Sequence, residues 1–223
     1  MIDYNGVEIY WTGHDGYRII GTDDKNRKKT VYIDPFQLSS GHHNKNDADL
    51  VLISHNHFDH MSLEDLRQVI NKQTTIVAAR ECIEQLKLLE FKESKGVKPD
   101  DKLSIHDIPL EIVCAYNTNK KFHPKEDGKV GFVFTISGQR MYHAGDTDII
   151  PEMESVKPDI AFVPVSGTYV MTAKEAAQAV NEIIKPKRLV IPMHYGSIVG
   201  NEKDAENFRD LVSTCETKIL ERD

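Results

Sequence analysis

His55, His57, Asp59 and His60 fall within the run His55-Asn56-His57-Phe58-Asp59-His60. Neutral imidazoles and carboxylates are good ligands for zinc, manganese and iron. In a short extended turn side chains alternate, so His55 and His57 project to one side. Once the chain bends, Asp59 and His60 face a second position. One segment can thus offer two ligands to each of two neighbouring cations. The bland alternative is a solvated loop that happens to be histidine-rich. It does not account for three imidazoles and a carboxylate set directly behind a buried strand.

Such a segment cannot complete two metal sites, so further ligands must come from elsewhere. His143-Ala144-Gly145-Asp146-Thr147 follows a strand, and its glycine permits close backbone approach. Asp146 can bridge two cations through its carboxylate. Ile191-Pro192-Met193-His194-Tyr195-Gly196 puts a histidine at the end of another buried strand. Alone, each would be an ordinary strand terminus; the first cluster is what raises both.

These groups need a scaffold. Val7 to Trp11 and Tyr17 to Ile20 alternate like strands, with His14-Asp15-Gly16 as the turn, and Thr30 to Asp34 is a third strand stopped by Pro35. Asp49 to Ser54 is a short apolar run, as expected of a strand covered on both faces. Ser62 then starts a helix as its N-cap, with Asp65 as a weaker capping-box partner. The histidine cluster therefore occupies a loop between a strand and a helix, where a rigid scaffold carries functional groups. Further on, strands are expected at 75–78, 110–115, 131–136, 140–142, 159–164 and 188–191. Helices are expected at 81–91, 172–184 and 204–215. Ser137-Gly138 turns a hairpin. With no linker and no low-complexity stretch, one domain over 1–223 is the economical reading, with sheet inside and helices outside.

The bulk properties agree with an ordinary globular chain. It has 223 residues, 39% hydrophobic and 28% charged, with a formal net charge of −7. An acidic balance argues against a general nucleic-acid binder; the lysines at 25–29 and 120–125 read as solvated loops. No apolar run is long enough to span a bilayer, and the N-terminus lacks a signal peptide, so no membrane insertion and a cytoplasmic location are expected. Cys82, Cys114 and Cys215 are too scattered for a disulfide framework. There is no Gly-x-Ser-x-Gly, hence no sign of a serine triad.

The ordered set HNHFDH, AGDTD and PMHYG resembles the metallo-β-lactamase superfamily. It is closest to the branch that includes L-ascorbate-6-phosphate lactonase and N-acyl-phosphatidylethanolamine phospholipase D. Trp11 to His14, Ile33-Asp34-Pro35 and Pro164 to Tyr169 also match, so the resemblance covers nearly the whole chain. It implies a four-layer α/β/β/α sandwich with metals at one edge between the sheets. It implies that His55 and His57 bind one metal, that Asp59, His60 and His194 bind a second, and that Asp146 bridges them. The family supplies one more histidine from a mid-chain loop. In this chain the matching strand ends at Asn117, and His123 is the favoured ligand because imidazole is the better donor.

Other roles follow from the same resemblance. Asp59 also orients the attacking hydroxide. His14 is a substrate contact or proton donor, although a turn histidine facing water fits its spacing equally well. His143 and Asn117 support the ligands from behind. Tyr169 and Tyr195 are candidate substrate contacts, each equally readable as a half-buried tyrosine with its hydroxyl satisfied. Phe58 and Met61 are expected to pack the ligand loop in place. The implied activity is cleavage of a small ester, lactone or phosphodiester by a metal-bound hydroxide. The cofactors are two divalent ions, zinc or manganese, with iron open. An iron-dependent, dioxygenase-like redox enzyme and a nuclease are the alternatives. The partner is a small-molecule substrate, with no nucleic acid; homo-oligomer formation is left open.

Overall fold

Alternating apolar positions build the first sheet. The computed structural model describes residues 1–223. Strands β1 (Ile2–Tyr4), β2 (Val7–Gly13), β3 (Gly16–Thr22) and β4 (Lys28–Ile33) form an antiparallel meander. β5 (Leu50–Ile53), β6 (Thr75–Ala79) and β7 (Glu93–Val97) then add in parallel. Parallel neighbours need crossovers. α1 (Leu63–Val69) joins β5 to β6, and α2 (Ile83–Leu86) joins β6 to β7. β5 is buried throughout, as its unbroken apolar run requires.

The second sheet repeats this plan. β8 (Lys102–Ile105), β9 (Ile108–Cys114), β10 (Val130–Ile136) and β11 (Gln139–His143) are antiparallel. β12 (Ile160–Pro164), β13 (Leu189–Met193) and β14 (Glu216–Thr217) continue in parallel. The crossovers are α3 (Ala173–Gln178), which runs on as a π-helix to Ile184, and α4 (Glu202–Leu211). Each sheet has seven strands. Between them Tyr17 of β3 lies against Phe162 of β12, ring centroids 4.4 Å apart, and its hydroxyl donates to the Pro192 carbonyl at 3.4 Å. The two sheets share one apolar core, with the helices outside: the expected α/β/β/α sandwich. No helix is long and apolar enough to cross a membrane.

Two local expectations are corrected. The helix foreseen at 81–91 shrinks to a 3-10 turn at 80–82 plus α2; Leu88 is exposed, while Leu89 and Phe91 reach the core from beyond the helix. β7, a polar edge strand, takes up the chain beyond it; charged edge strands lack the apolar alternation that marks inner ones. Ser62 does cap α1, accepting from Asp65 N at 3.2 Å. Asp65 does not return the bond: its carboxylate accepts from the Gln37 and Leu38 amides and holds the loop after β4.

Ser137 and Gly138 both have positive φ (47° and 69°), as the tight turn between β10 and β11 demands.

The ligand candidates end up at one rim. His55–His60 follow the C-terminal end of β5, Asp34 follows β4, Asp146 follows β11, and His194 follows β13. His14 lies in the β2–β3 turn and His123 in the β9–β10 loop.

Candidate metal centre

The rim gathers two groups of ligand atoms about one carboxylate. In the first group, His57 Nδ1 is 3.0 Å from His55 Nε2 and 3.3 Å from His123 Nε2. In the second, His14, Asp59, His60 and His194 each offer one atom within 4.8 Å of the others. Asp146 stands between them. Its Oδ2 is 3.2 Å from both His123 Nε2 and His194 Nε2, and its Oδ1 is 3.3 Å from His60 Nε2. All of these side chains except His57 are buried.

Neighbouring groups fix which nitrogen faces inward. The His123 amide N–H can only donate, and it meets Asn117 Oδ1 at 3.1 Å. His123 Nδ1 meets the same oxygen at 3.1 Å, so it carries the ring proton and leaves Nε2 free. Asn117 Nδ2 in turn donates to the Tyr169 carbonyl at 2.9 Å. His60 Nδ1 donates to Asp34 Oδ2 at 2.8 Å. Ser54 gives its hydroxyl proton to that same oxygen, so its Oγ accepts from His55 Nδ1 at 2.9 Å. His194 Nδ1 pairs with Ser166 Oγ at 2.9 Å. Inward-facing nitrogens braced from behind by acceptors are the usual condition of metal-binding histidines.

The electrostatics run the same way. Burial keeps His55 well below the usual imidazole range and pushes His14 and His123 down to about 4. Burial opposes ionisation of Asp59, yet the hydrogen bond from His14 and the nearby His60 hold it at about 2. Burial likewise opposes ionisation of Asp146, but His194 and His60 keep its carboxyl well below the normal range. His60 is drawn the other way: burial lowers it, while Asp146 and Asp34 raise it above the imidazole norm. Asp146 also raises His194 against its burial, so a divalent cation would take the place of the proton on His60 and His194, and these imidazoles beside ionised carboxylates form a donor set that suits one. His60 Nε2 and Asp146 Oδ1 have no hydrogen-bond partner although both are buried. A buried polar atom left unpaired is costly, and a cation at this position would satisfy both. The residues therefore fit a metal centre.

The remaining expectations divide. His143 faces away from the ligands: its Nε2 donates to the Asp15 carbonyl at 2.9 Å, and its Nδ1 accepts from the Gly145 amide at 3.3 Å. It ties the β2–β3 turn to the Asp146 loop. Gly145 has φ +61°, and a Cβ there would meet the Val130 carbonyl at 2.8 Å, so that loop needs glycine. Tyr169 lines the cavity above Asp59 and Asp146. Tyr195 does not; it stacks on Trp11 with ring centroids 4.8 Å apart and borders a separate cavity. Met61 is buried as expected, but Phe58 is 66% exposed. Its neighbours His57 and Asp59 turn inward, and the tight turn closed by the His60 and Met61 amides on the His57 carbonyl leaves Phe58 at the mouth.

Sequence reasoning missed two buried acids. Asp34 braces His60 and Ser54, and its only signal was its place at the end of β4 before Pro35. Asp15 groups with His60, Asp146 and His194, and both its carboxylate oxygens are unpartnered; its only signal was its position beside His14.

Comparison with known proteins agrees with this geometry. Residues 8–194 match the β-lactamase superfamily domain. A UPF0173 metal-dependent hydrolase of Thermoplasma acidophilum is 32% identical, covering 96% of this chain and 94% of the relative. A crystal structure from Parabacteroides distasonis, assigned to the metal-dependent hydrolases, superimposes with a TM-score of 0.80 at 30% identity. It covers 97% of this chain and 94% of that one. The metallo hydrolase Igni18 of Ignicoccus hospitalis shares the fold, with a TM-score of 0.74 at 23% identity over 97% of this chain and 95% of its own. The chain belongs to the metallo-β-lactamase superfamily, within its UPF0173 family of metal-dependent hydrolases.

Proposed function

We propose that the chain hydrolyses a small ester, lactone or phosphodiester with two divalent cations, zinc or manganese, at the rim. One observation carries this reading: two groups of ligand atoms meet across the single buried carboxylate of Asp146. His55, His57 and His123 would hold the first cation and Asp59, His60 and His194 the second, with the Asp146 carboxylate shared between the two groups. Cations in such a pair supply water activation near neutral pH and polarise the oxygen that gains charge.

The side chains do the rest. Asp59 stays ionised and accepts from His14 Nε2 at 3.1 Å, which leaves its other oxygen to orient a water molecule. The water oxygen forms the new bond to the acyl carbon or phosphorus, and the bond to the leaving oxygen breaks. Asp59 takes the proton that the water loses and passes it to the leaving oxygen, while neutral His14 keeps its Nε2–H on the carboxylate. Tyr169 contacts the substrate from the cavity wall.

Elemental analysis after dialysis, followed by hydrolysis assays on lactone, ester and phosphodiester substrates, tests the reading. Two equivalents of zinc or manganese with turnover are expected. Absence of bound metal would overturn it. One equivalent of iron with oxygen uptake would replace it by a redox enzyme on the same fold.

A further inference from the structure

The cavity over the centre has a volume of about 280 Å3. At ~30 Å3 per water-sized atom, it holds on the order of nine such atoms. Asp59 and Asp146 lie in its floor, and its walls are Phe58, Phe122, Tyr169 and Ile198. Three of these wall residues are apolar side chains left in water: Phe58 is 66% exposed, Phe122 48% and Ile198 39%. They are among only six large hydrophobic residues exposed on the molecule. Two of the wall rings also pack edge-on against neighbouring rings. Phe122 meets Tyr169 edge-on at 4.6 Å, and Phe58 meets Phe36 edge-on at 5.8 Å.

No lysine or arginine lines the cavity. Of the nearby lysines, Lys120 pairs with Asp148, Lys125 with Glu152, and the buried Lys129 with Asp127 and Glu81, while Lys121, beside Phe122, is exposed and does not line the cavity. A substrate tail bearing a carboxylate or phosphate would leave water for an aromatic wall with no counter-charge. That loses solvation and gains nothing. An apolar tail gains by covering surface that water now touches.

We propose that the part of the substrate lying outside the metal centre is a short, uncharged, apolar chain or ring, so that neutral carboxylic esters and lactones are preferred to counterparts with anionic tails. This rests on the hydrolase reading and narrows it.

The test pairs two esters of equal chain length, 4-nitrophenyl pentanoate and mono-4-nitrophenyl glutarate, on the zinc-loaded protein. kcat/KM is expected to favour the pentanoate by about tenfold or more. Phe122→Lys, at an exposed loop position, is expected to close most of that gap by giving the carboxylate a partner. Equal or better turnover of the glutarate by the unaltered protein would overturn the inference and leave the hydrolase reading standing. Saturation-transfer NMR with pentanamide and with glutaramate reads the wall without turnover. Transfer to the pentanamide methyl and not to glutaramate supports the inference even if neither ester is cleaved, in which case the hydrolase reading is what fails. Transfer to neither probe, or to glutaramate alone, overturns it.

Discussion

Asn117 Oδ1 receives both the backbone N–H and the ring Nδ1–H of His123, each at 3.1 Å. One amide oxygen thereby sets the loop, the ring angle and the tautomer of a single imidazole. Asn117, in the loop after β9, thus braces the candidate ligand His123 six residues on. Asn117→Ala removes the acceptor and frees the ring. Zinc affinity, measured by competition with a chelator, is expected to fall by roughly 10- to 100-fold. Asn117→Asp keeps an acceptor and is expected to retain most of it.

In the proposed reaction Asp59 acts on both cation and water. Asp59→Ala is expected to cut turnover by about a hundredfold or more while far-UV circular dichroism stays unchanged, since its carboxylate bonds only the His14 ring and no backbone group. Steady-state assays of a purified variant check this. Retained activity would exclude Asp59 from the hydrolytic step.

Cations that bind only the folded chain stabilise it by mass action. At free cation about 100-fold above Kd, the gain is ~2.7 kcal/mol. Stripping with chelator should therefore lower the thermal midpoint by several degrees, and adding zinc or manganese back should restore it. A midpoint indifferent to chelator would mean that the ligands hold no cation.

His42 offers a pH test outside the centre. Its ring is buried beside Tyr32, 3.4 Å from Asp223 Oδ2. Burial lowers its pKa below the free value of 6.5, with Asp223 only partly compensating. As pH falls through 6.5 the unfolded chain takes up this proton first. Stability is thus fully present above 6.5 and declines from there down to the folded value. Urea midpoints at pH 7.5 and 5.0, on chelator-stripped protein, should fall less for His42→Gln than for the unaltered chain. An equal fall would show that His42 contributes nothing to the slope.

The amino-acid order already carried the donor chemistry of His55, His57, Asp59 and His60, because four ligands within one short loop need no partner to be seen. It also carried the buried parallel strands β5, β12 and β13, whose unbroken apolar runs are local, and so the place where His194 emerges. Strand pairing across two sheets decided what local pattern cannot encode. It brought Asp15 and Asp34 under His60, turned His123 inward, sent Tyr195 to the far side of the centre, and joined Phe58 to Phe122 as one apolar mouth. Residue type sets what a side chain can bind. Which atom meets which depends on through-space geometry that exists only after the sheets have packed.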